Sequence, residues 1–500
     1  MRARQLWAAF LGLLIICLAA PSSDALAGSG AHVAARGTSA GAALLRLRAV
    51  GAISETVYRK DDGALLAAKR SLGRLGGTRR AELGAVLSNI QAIAAAGELS
   101  ASRLAPLFLT LERNRDWWTT RPLLASGDRV SFPSSKLVWE YYAGQGLEIQ
   151  WLGTFGKANG YYLSGNENAN LRQLLAEAIP LASSRAGGIA WEYMFQFDGG
   201  VAPWTSGLSQ GTALQVLARA WSRFKDPTYL AAAQQALQIF ATRPPAGVRV
   251  ATGAGAHYAE YSFAPSDRIL NGFIQALVGL YDYTSLTGDT LGLRLFEAGD
   301  AEARLEVPRY DTGAWSLYDQ FGESSLSYHE LLSEFLAHLC QRTRKGLPST
   351  TATTPTPPTP TVPAGSSTTG GTGGATASRT VASRAQAGQP IAADELYCAT
   401  AQRFTADLST PPAIALLSTT LRGGVRAGVQ MSLSKISTVS LTVRRGARVV
   451  WRNRATVERG RPRLLWVTPS AGGTFSVTLA ATDLAGNFAT TSGTVVVSRH

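Results

Sequence analysis

The 500-residue sequence has only three cysteines and five histidines, and it lacks the short motifs of several enzyme classes. It contains no phosphate-binding glycine loop, no dinucleotide fingerprint, no HExxH motif and no nucleophile elbow. No cysteine has metal-ligand spacing with a histidine, and none has the neighbours that a catalytic thiol needs. These absences argue against nucleotide, zinc and covalent hydrolase chemistry, and we expect neither a metal nor a cofactor.

Long apolar runs are absent after the first 27 residues, and those residues have the pattern of a removable export signal. Two early arginines precede the run LWAAFLGLLIICLAA, and Ala25-Leu26-Ala27 forms a small-residue cleavage site. A retained membrane anchor is the alternative, although the run is short for a bilayer span. The sequence predicts a protein exported to the extracellular space or cell envelope, with no integral membrane segment in the mature chain.

Loss of the signal would remove Cys17 and leave Cys340 and Cys398. An even pair of cysteines in an exported protein favours one disulfide, and two independent buried thiols are the alternative.

Acidic residues are outnumbered, and the formal net charge is +14. A basic surface concentrates polyanions. Nucleic acid would fit on charge alone, but export and the absence of a recognition-helix or zinc-finger pattern favour an acidic polysaccharide as the partner.

The composition changes several times along the chain and predicts a sequence of distinct regions. They are a signal (1–27), an N-terminal helical region (28–131), a multi-helix domain (132–345), a Thr/Pro/Gly/Ser-rich flexible insertion (346–392), a closing helix of the same domain (393–410) and a basic β-sandwich (411–500). A Cys340–Cys398 bridge would pin the two sides of the insertion together.

Helical periodicity is strongest in the multi-helix domain. The apolar stripes are Leu214, Leu217, Ala218 and Trp221; Leu230, Ala233, Leu237 and Phe240; and Leu270, Phe273, Ile274, Leu277 and Tyr281. The segments between them are rich in aromatic residues (WEYMFQFDGGVAPWTSG, HYAEYSFAPSD and YDTGAWSLYDQFG), and such loops commonly form sugar-binding sites.

After residue 411 the apolar period changes to two, with turns at RRGAR and DLAGN, which predicts a small antiparallel sandwich of the immunoglobulin-like kind. This region has twelve Lys or Arg residues against two acidic ones. It is either a module that contacts polyanions or the cell envelope, or a solvated spacer.

Several blocks in the multi-helix domain resemble the catalytic domain of the D-glucuronyl C5-epimerases. They are PWTSGLSQGTALQVLARAW, EYSFAPSDRILNGFIQALVGLYDY, RYDTGAWSLYD and SYHELL, which follow one another in the family's order between residues 132 and 343. A weaker match covers residues 395–410. The resemblance implies an (α/α) toroid and cofactor-independent inversion of carbon 5 of uronosyl residues in a heparosan-like or other polysaccharide.

The resemblance places the catalytic positions on Glu260, Tyr261, Tyr318 and Tyr328. Taken singly, each tyrosine is more often a packing residue. The reaction needs two acid/base groups on opposite faces of a sugar ring, and we expect Tyr328 to oppose Tyr261 or Glu260. A tyrosine base would need its pKa lowered by nearby cations, for which Arg185, Arg243, Arg268 and Lys157 are candidates.

Further side chains are predicted to contact substrate. They are Tyr141, Gln145, Lys157, Trp204, Gln210, Arg268, Asn271 and His329. His329 has a structural role as an equal alternative, and Leu332 stands where the family has a further histidine.

Three other functions compete with epimerisation. A polysaccharide lyase shares the first step, proton removal beside the carboxylate, and then expels the 4-linked sugar. A glycoside hydrolase on a similar fold would create reducing ends. A non-catalytic protein that binds acidic polysaccharide would do neither.

Overall fold

The computed structural model describes residues 38–347 and 395–499. The predicted export signal at 1–27 and nearly all of the predicted insertion at 346–392 lie outside these residues. The described chain forms a helical part up to Asp407 and a β part from Ile414 onward.

The described part of the N-terminal region contains four helices. They are α1 (Ala40–Ala49), α2 (Glu55–Arg74), α3 (Gly77–Ala95) and α4 (Ala101–Thr120). Serine side chains at Ser39 and Ser54 cap the first two helices by accepting backbone N–H groups. Glu82 of α3 accepts the backbone N–H groups of Gly144 and Gly146, so this region braces the chain that follows.

The rest of the helical part is built mainly from helices packed in consecutive pairs. They are α5 (Trp151–Ser164) with α6 (Asn168–Ala178), α7 (Gly207–Phe224) with α8 (Pro227–Ala236) and the short α9 (Gln238–Ala241), α10 (Leu270–Thr287) with α11 (Thr290–Glu306), and α12 (Leu326–Thr343) with α13 (Glu395–Asp407). The first helices of the four pairs, α5, α7, α10 and α12, line one common cavity and are called the axial helices; α7 and α10 are the most buried of them. A Cβ on Gly279 would lie 2.1 Å from the carbonyl oxygen of Gly211, so these two helices cross at a distance that only glycine permits.

Short strands lie in the chain ahead of the axial helices. They are β1 (Arg129–Val130), β2 (Trp139–Tyr142), β3 (Gly146–Ile149), β4 (Ser183–Arg185), β5 (Gly188–Ala190), β6 (Arg249–Ala251) and β7 (Ala256–Tyr258). They pair as small antiparallel ribbons. The ribbons lie just ahead of α5, α7 and α10, whose first residues line one pocket together with those of α12.

Helix α13 packs on α12, and a disulfide joins Cys340 of α12 to Cys398 of α13. The two cysteines lie on either side of residues 348–394, which the structure does not describe.

The β part contains a three-stranded and a five-stranded sheet. Its strands are β8 (Ile414–Leu416), β9 (Thr420–Arg422), β10 (Arg426–Leu433), β11 (Ser437–Arg445), β12 (Arg448–Val457), β13 (Arg463–Val467), β14 (Gly473–Asp483) and β15 (Phe488–Ser498). Val439, Leu441 and Val443 alternate inward on β11 and join a separate apolar core. The prediction of wholly antiparallel pairing fails at β9, which pairs parallel with β15 because the chain crosses between the sheets after β8.

The prediction of a helical domain followed by a β domain is therefore confirmed. The toroid and the immunoglobulin-like sandwich remain predictions. Among the described helices, none has the length and apolar character needed to cross a membrane.

Candidate active site

A narrow pocket lies among the first turns of the four axial helices. Leu152 of α5, Leu208 of α7, Asn271 of α10 and Tyr328 of α12 contribute to its wall, and its volume is about 30 Å³. Four helix N-termini thus surround one space, and their partial positive charge favours an anionic group there.

Glu260 and Tyr261 reach the pocket from the segment between β7 and α10. The N–H of Gly207 donates to the carbonyls of Ala259 and Glu260, and Ser206 pairs with Tyr261. These bonds fix the segment against the start of α7. On the other side, a Cβ on Gly272 would lie 2.3 Å from Oε2 of Glu260, so the carboxyl occupies space that this glycine leaves at the first turn of α10.

Tyr318 and Tyr328 meet from two different elements. The carbonyl of Tyr318 accepts the N–H of Leu270, which joins its loop to the start of α10. Ser325 caps α12 and accepts the N–H of Tyr328, which sets the first turn of that helix. The two rings lie 4.5 Å apart, and Tyr318 hydrogen-bonds to both Tyr261 and Tyr328.

The electrostatics of the pocket differ from the sequence-based expectation of acidified tyrosines. Burial, together with the nearby Glu260, raises the pKa of Tyr261 and of Tyr318 well above that of a free phenol. Burial also raises the pKa of the Glu260 carboxyl to about 8, against the lowering effect of a hydrogen bond with Tyr261. Glu260, Tyr261 and Tyr318 therefore hold their protons at neutral pH.

Two buried oxygens in the pocket make no hydrogen bond to the described residues. They are Oε2 of Glu260 and Oδ1 of Asn271. Buried polar atoms are normally paired, and clusters of exceptions indicate a site that binds a polar ligand. The pocket therefore combines proton-holding groups with unused hydrogen-bonding capacity.

Comparison with known proteins adds to this geometry. Residues 186–353 match the family described as the D-glucuronyl C5-epimerase C-terminus. The match to this epimerase family covers about a third of the chain.

Two relatives show how far the similarity extends. A D-glucuronyl C5-epimerase of Caenorhabditis elegans is 34% identical over 129 residues, which cover 23% of this chain and 21% of that protein. An uncharacterized protein of Methanocaldococcus jannaschii is 29% identical over 151 residues, covering 29% of this chain and 49% of that protein. The chain thus spans less than half the length of these curated relatives.

The segment that matches the epimerase family contains Glu260, Tyr261, Tyr318 and Tyr328, but it does not supply the whole pocket. Gln150 and Leu152 come from the chain ahead of it. Gln150 caps α5 through Gly153, so its side chain has a structural partner as well.

An aromatic wall closes one side of the pocket. Trp204, predicted from the sequence, stacks on Tyr193 with ring centroids 4.3 Å apart, and its indole N–H donates to the carbonyl of Phe195. Sequence reasoning missed Tyr193, Phe195 and Ser206. The aromatic composition of the loop was the available signal, but it could not say which rings face the pocket.

Three predicted contact residues on the N-terminal side have other partners and do not line the pocket. The Tyr141 hydroxyl donates to Glu82. Gln145 accepts hydrogen bonds from Asn89 and from the backbone N–H of Gln196. Lys157 donates to the carbonyl of Lys136.

Three other predicted contact residues also lie outside the pocket wall. Gln210 donates to the carbonyl of Trp191, leaving its Oε1 without a partner. Arg268 has an Nη1 atom 3.7 Å from Glu306. His329 is fully buried, stacks on Trp315 at 3.7 Å and bonds through its two nitrogens to Ser316 and the carbonyl of Phe404. The structural interpretation of His329 fits these contacts.

The pocket wall also lacks the cations that were expected to activate a tyrosine. Arg185 pairs with buried Glu192, and Arg268 lies beside Glu306. With these charges engaged elsewhere, burial dominates the phenol pKa values. Among the described residues, no group of three His, Cys, Asp or Glu side chains is arranged to hold a metal ion.

A larger cavity of about 340 Å³ lies between the axial helices and shares Leu152 and Leu331 with the narrow pocket. Arg219 and Arg342 contribute to its wall, and both pair with Asp282. The larger cavity thus adjoins the narrow pocket, and its wall contains no tyrosine among the described residues.

Proposed function

We propose that the chain inverts carbon 5 of D-glucuronosyl residues, giving L-iduronosyl residues, in a heparosan-like or other uronate polysaccharide. One observation carries the proposal. Glu260, Tyr261 and Tyr328 line one pocket, Tyr318 bonds to two of them, and the pocket contains two unpaired oxygens. The family of residues 186–353 supports the same chemistry.

In the proposed reaction, Glu260 is the base on one face of the sugar ring. A carboxyl with a pKa of about 8 is a stronger base when ionised than an ordinary carboxylate, and it is poised near neutral pH. It removes the proton from carbon 5, and the C–H electron pair moves into the substrate carboxyl group to form an enolate. Helix N-termini and phenol hydroxyls around the pocket stabilise this charge.

Tyr328 is the acid on the opposite face. It donates its proton to carbon 5, which inverts the centre and leaves a phenolate. Tyr318 bonds to Tyr328 and to Tyr261, and Tyr261 bonds to Glu260. The proton taken up by Glu260 can return to Tyr328 along these bonds, which resets the site without a cofactor.

Several finer points belong to the same proposal. The enzyme acts outside the cell, in line with the signal-like residues 1–27, and the helical part is a toroid. The basic β part, an immunoglobulin-like sandwich, contacts polyanions or the cell envelope. An acidic polysaccharide rather than nucleic acid is the partner.

Product analysis separates epimerisation from its competitors. The protein is incubated in deuterated water with heparosan and with other uronate polymers. Deuterium at carbon 5 without new double bonds supports the epimerase. A 4,5-unsaturated end would instead identify a lyase, and new reducing ends would identify a hydrolase. Retention on the polymer without any isotope exchange would indicate a binding protein.

A further inference from the structure

The β part contacts the loop that contains Tyr318, and one of these contacts is made by the buried ammonium group of Lys435. We propose that this part positions the tyrosine loop, defined as residues 311–325, and that Lys435 is the residue through which it acts. The inference rests on the proposed function for its catalytic consequence, but the contact itself can be tested without activity.

Lys435 lies between β10 and β11 and is 1% exposed. Its Nζ forms an ion pair with Asp483 at 2.9 Å and donates to the carbonyls of Asp407 and Thr410 at 2.8 and 2.6 Å. Burying an ammonium group is costly unless its partners are complete, as they are here. The carbonyls belong to the end of α13 and the chain just after it, where a cation is favourable.

The same ammonium group faces the tyrosine loop. Nζ of Lys435 lies 5.2 Å from the ring centroid of Trp315, which is fully buried. Trp315 donates its indole N–H to the carbonyl of Ser324 and stacks on His329. His329 directly follows Tyr328 on α12. An ammonium group is attracted to the face of an aromatic ring, so Lys435 stabilises the packing of Trp315, and with it the loop, against α12.

A second contact holds the other end of the loop. Glu323 accepts the backbone N–H of Ile436 at 3.1 Å, and Nε of Arg459 lies 3.7 Å from its carboxylate. Along the chain, Tyr318 lies between Trp315 and Glu323. The β part therefore fixes the loop on both sides of the tyrosine.

Neighbouring contacts fix the β part on α13. Asn487 donates to the carbonyl of Leu408 and to the carboxylate of Asp483. The carboxylate that balances Lys435 is thus held by the β14–β15 turn. Through the contact between Lys435 and Trp315, the β part thus determines where Tyr318 and Tyr328 lie. Lys435 acts as a positioning residue.

The test uses the full chain with Lys435→Met and Lys435→Arg. Lys69→Met serves as the control, because Lys69 is an exposed lysine on α2, outside both the β part and the pocket. Hydrogen–deuterium exchange of residues 311–325 reports the loop directly. Carbon-5 isotope exchange on heparosan reports kcat and KM.

We expect Lys435→Met to speed amide exchange in the loop and to lower kcat by up to about 100-fold with little change in KM, since small displacements of reacting groups have effects of this size. Lys435→Arg should recover most of the loop protection and kcat, and Lys69→Met should match the parent. If Lys435→Met does not fold, the pair Glu323→Ala and Glu323→Gln replaces it, because only glutamine keeps an acceptor for Ile436.

Unchanged loop protection in a folded Lys435→Met variant would overturn the proposal. So would a rise in KM with an unchanged kcat in Lys435→Met, which would make Lys435 a polymer-binding residue instead of a positioning residue. A faster-exchanging loop in a protein whose parent form shows no carbon-5 exchange would support the positioning role and refute the proposed function alone.

Discussion

At the scale of single residues, the protonation state of Glu260 decides what the pocket can do. Its pKa of about 8 means that the ionised base becomes more abundant as the pH rises towards 8. We expect carbon-5 exchange to increase over this range and Glu260→Gln to abolish the increase. A pH–rate profile for the two proteins checks this, and an unchanged profile in the variant would exclude Glu260 as the base.

The same pKa has a consequence for stability. A carboxyl whose folded-state pKa is raised favours folding most while it is protonated, so the stability of the parent falls as the pH rises from about 4.5 through about 8. Glu260→Gln removes this dependence. Relative to the parent, the variant should gain roughly 4 kcal/mol in the free energy of unfolding between pH 5 and pH 9. Urea unfolding at both pH values measures the gain, and parallel pH dependences would contradict it.

The sequence could name the candidate catalytic residues but not their protonation states. The resemblance named Glu260, Tyr261, Tyr318 and Tyr328, which the structure brings together. The expectation of a lowered tyrosine pKa was wrong for Tyr261 and Tyr318, because burial raises both values and because Arg185 and Arg268 are paired with glutamates elsewhere. Neither the burial of a side chain nor its distance to charged groups can be obtained from the amino-acid sequence alone.

At the scale of elements, the first turn of α10 provides a sharp test of the site. Gly272→Ala would place a methyl group against Glu260, whereas a Cβ on Gly160 of α5 would meet nothing within 4 Å. We expect Gly272→Ala to displace the carboxylate and to lower kcat by about 10-fold or more. Gly160→Ala should keep activity and gain up to about 1 kcal/mol of stability from its helix propensity. Kinetics and urea unfolding of both variants distinguish the two effects, and equal kcat values would contradict the placement of Glu260.

Helices and strands with regular apolar spacing were accessible from the sequence, and the loops were not. The stripes of Leu214 and Leu270 lie in α7 and α10, and alternation around Leu441 corresponds to β11. By contrast, the turn of the chain that brings Tyr193 and Phe195 against Trp204 depends on contacts with distant segments. The docking of Lys435 beside Trp315 is also a tertiary contact without a local signature.

At the scale of the whole molecule, the Cys340–Cys398 disulfide joins positions 58 residues apart. Closing a loop of this length in the unfolded chain should stabilise the folded protein by about 4 kcal/mol in the chain-entropy model. The double variant Cys340→Ala/Cys398→Ala should lose this amount. Urea unfolding of the parent with and without reductant provides the comparison, and a reductant-independent midpoint would show that the bridge contributes nothing.

The central claim joins all three scales: a helical scaffold, completed by its β part, holds Glu260 and Tyr328 on opposite faces of a uronosyl ring. Carbon-5 deuterium incorporation into heparosan, compared between the parent and Tyr328→Phe, tests it most directly. Phenylalanine keeps the ring and removes the proton donor. The parent should yield deuterium-labelled iduronosyl residues, and the variant should form them at least about 100-fold more slowly. Equal labelling by the two proteins, or no labelling by the parent, would contradict the account.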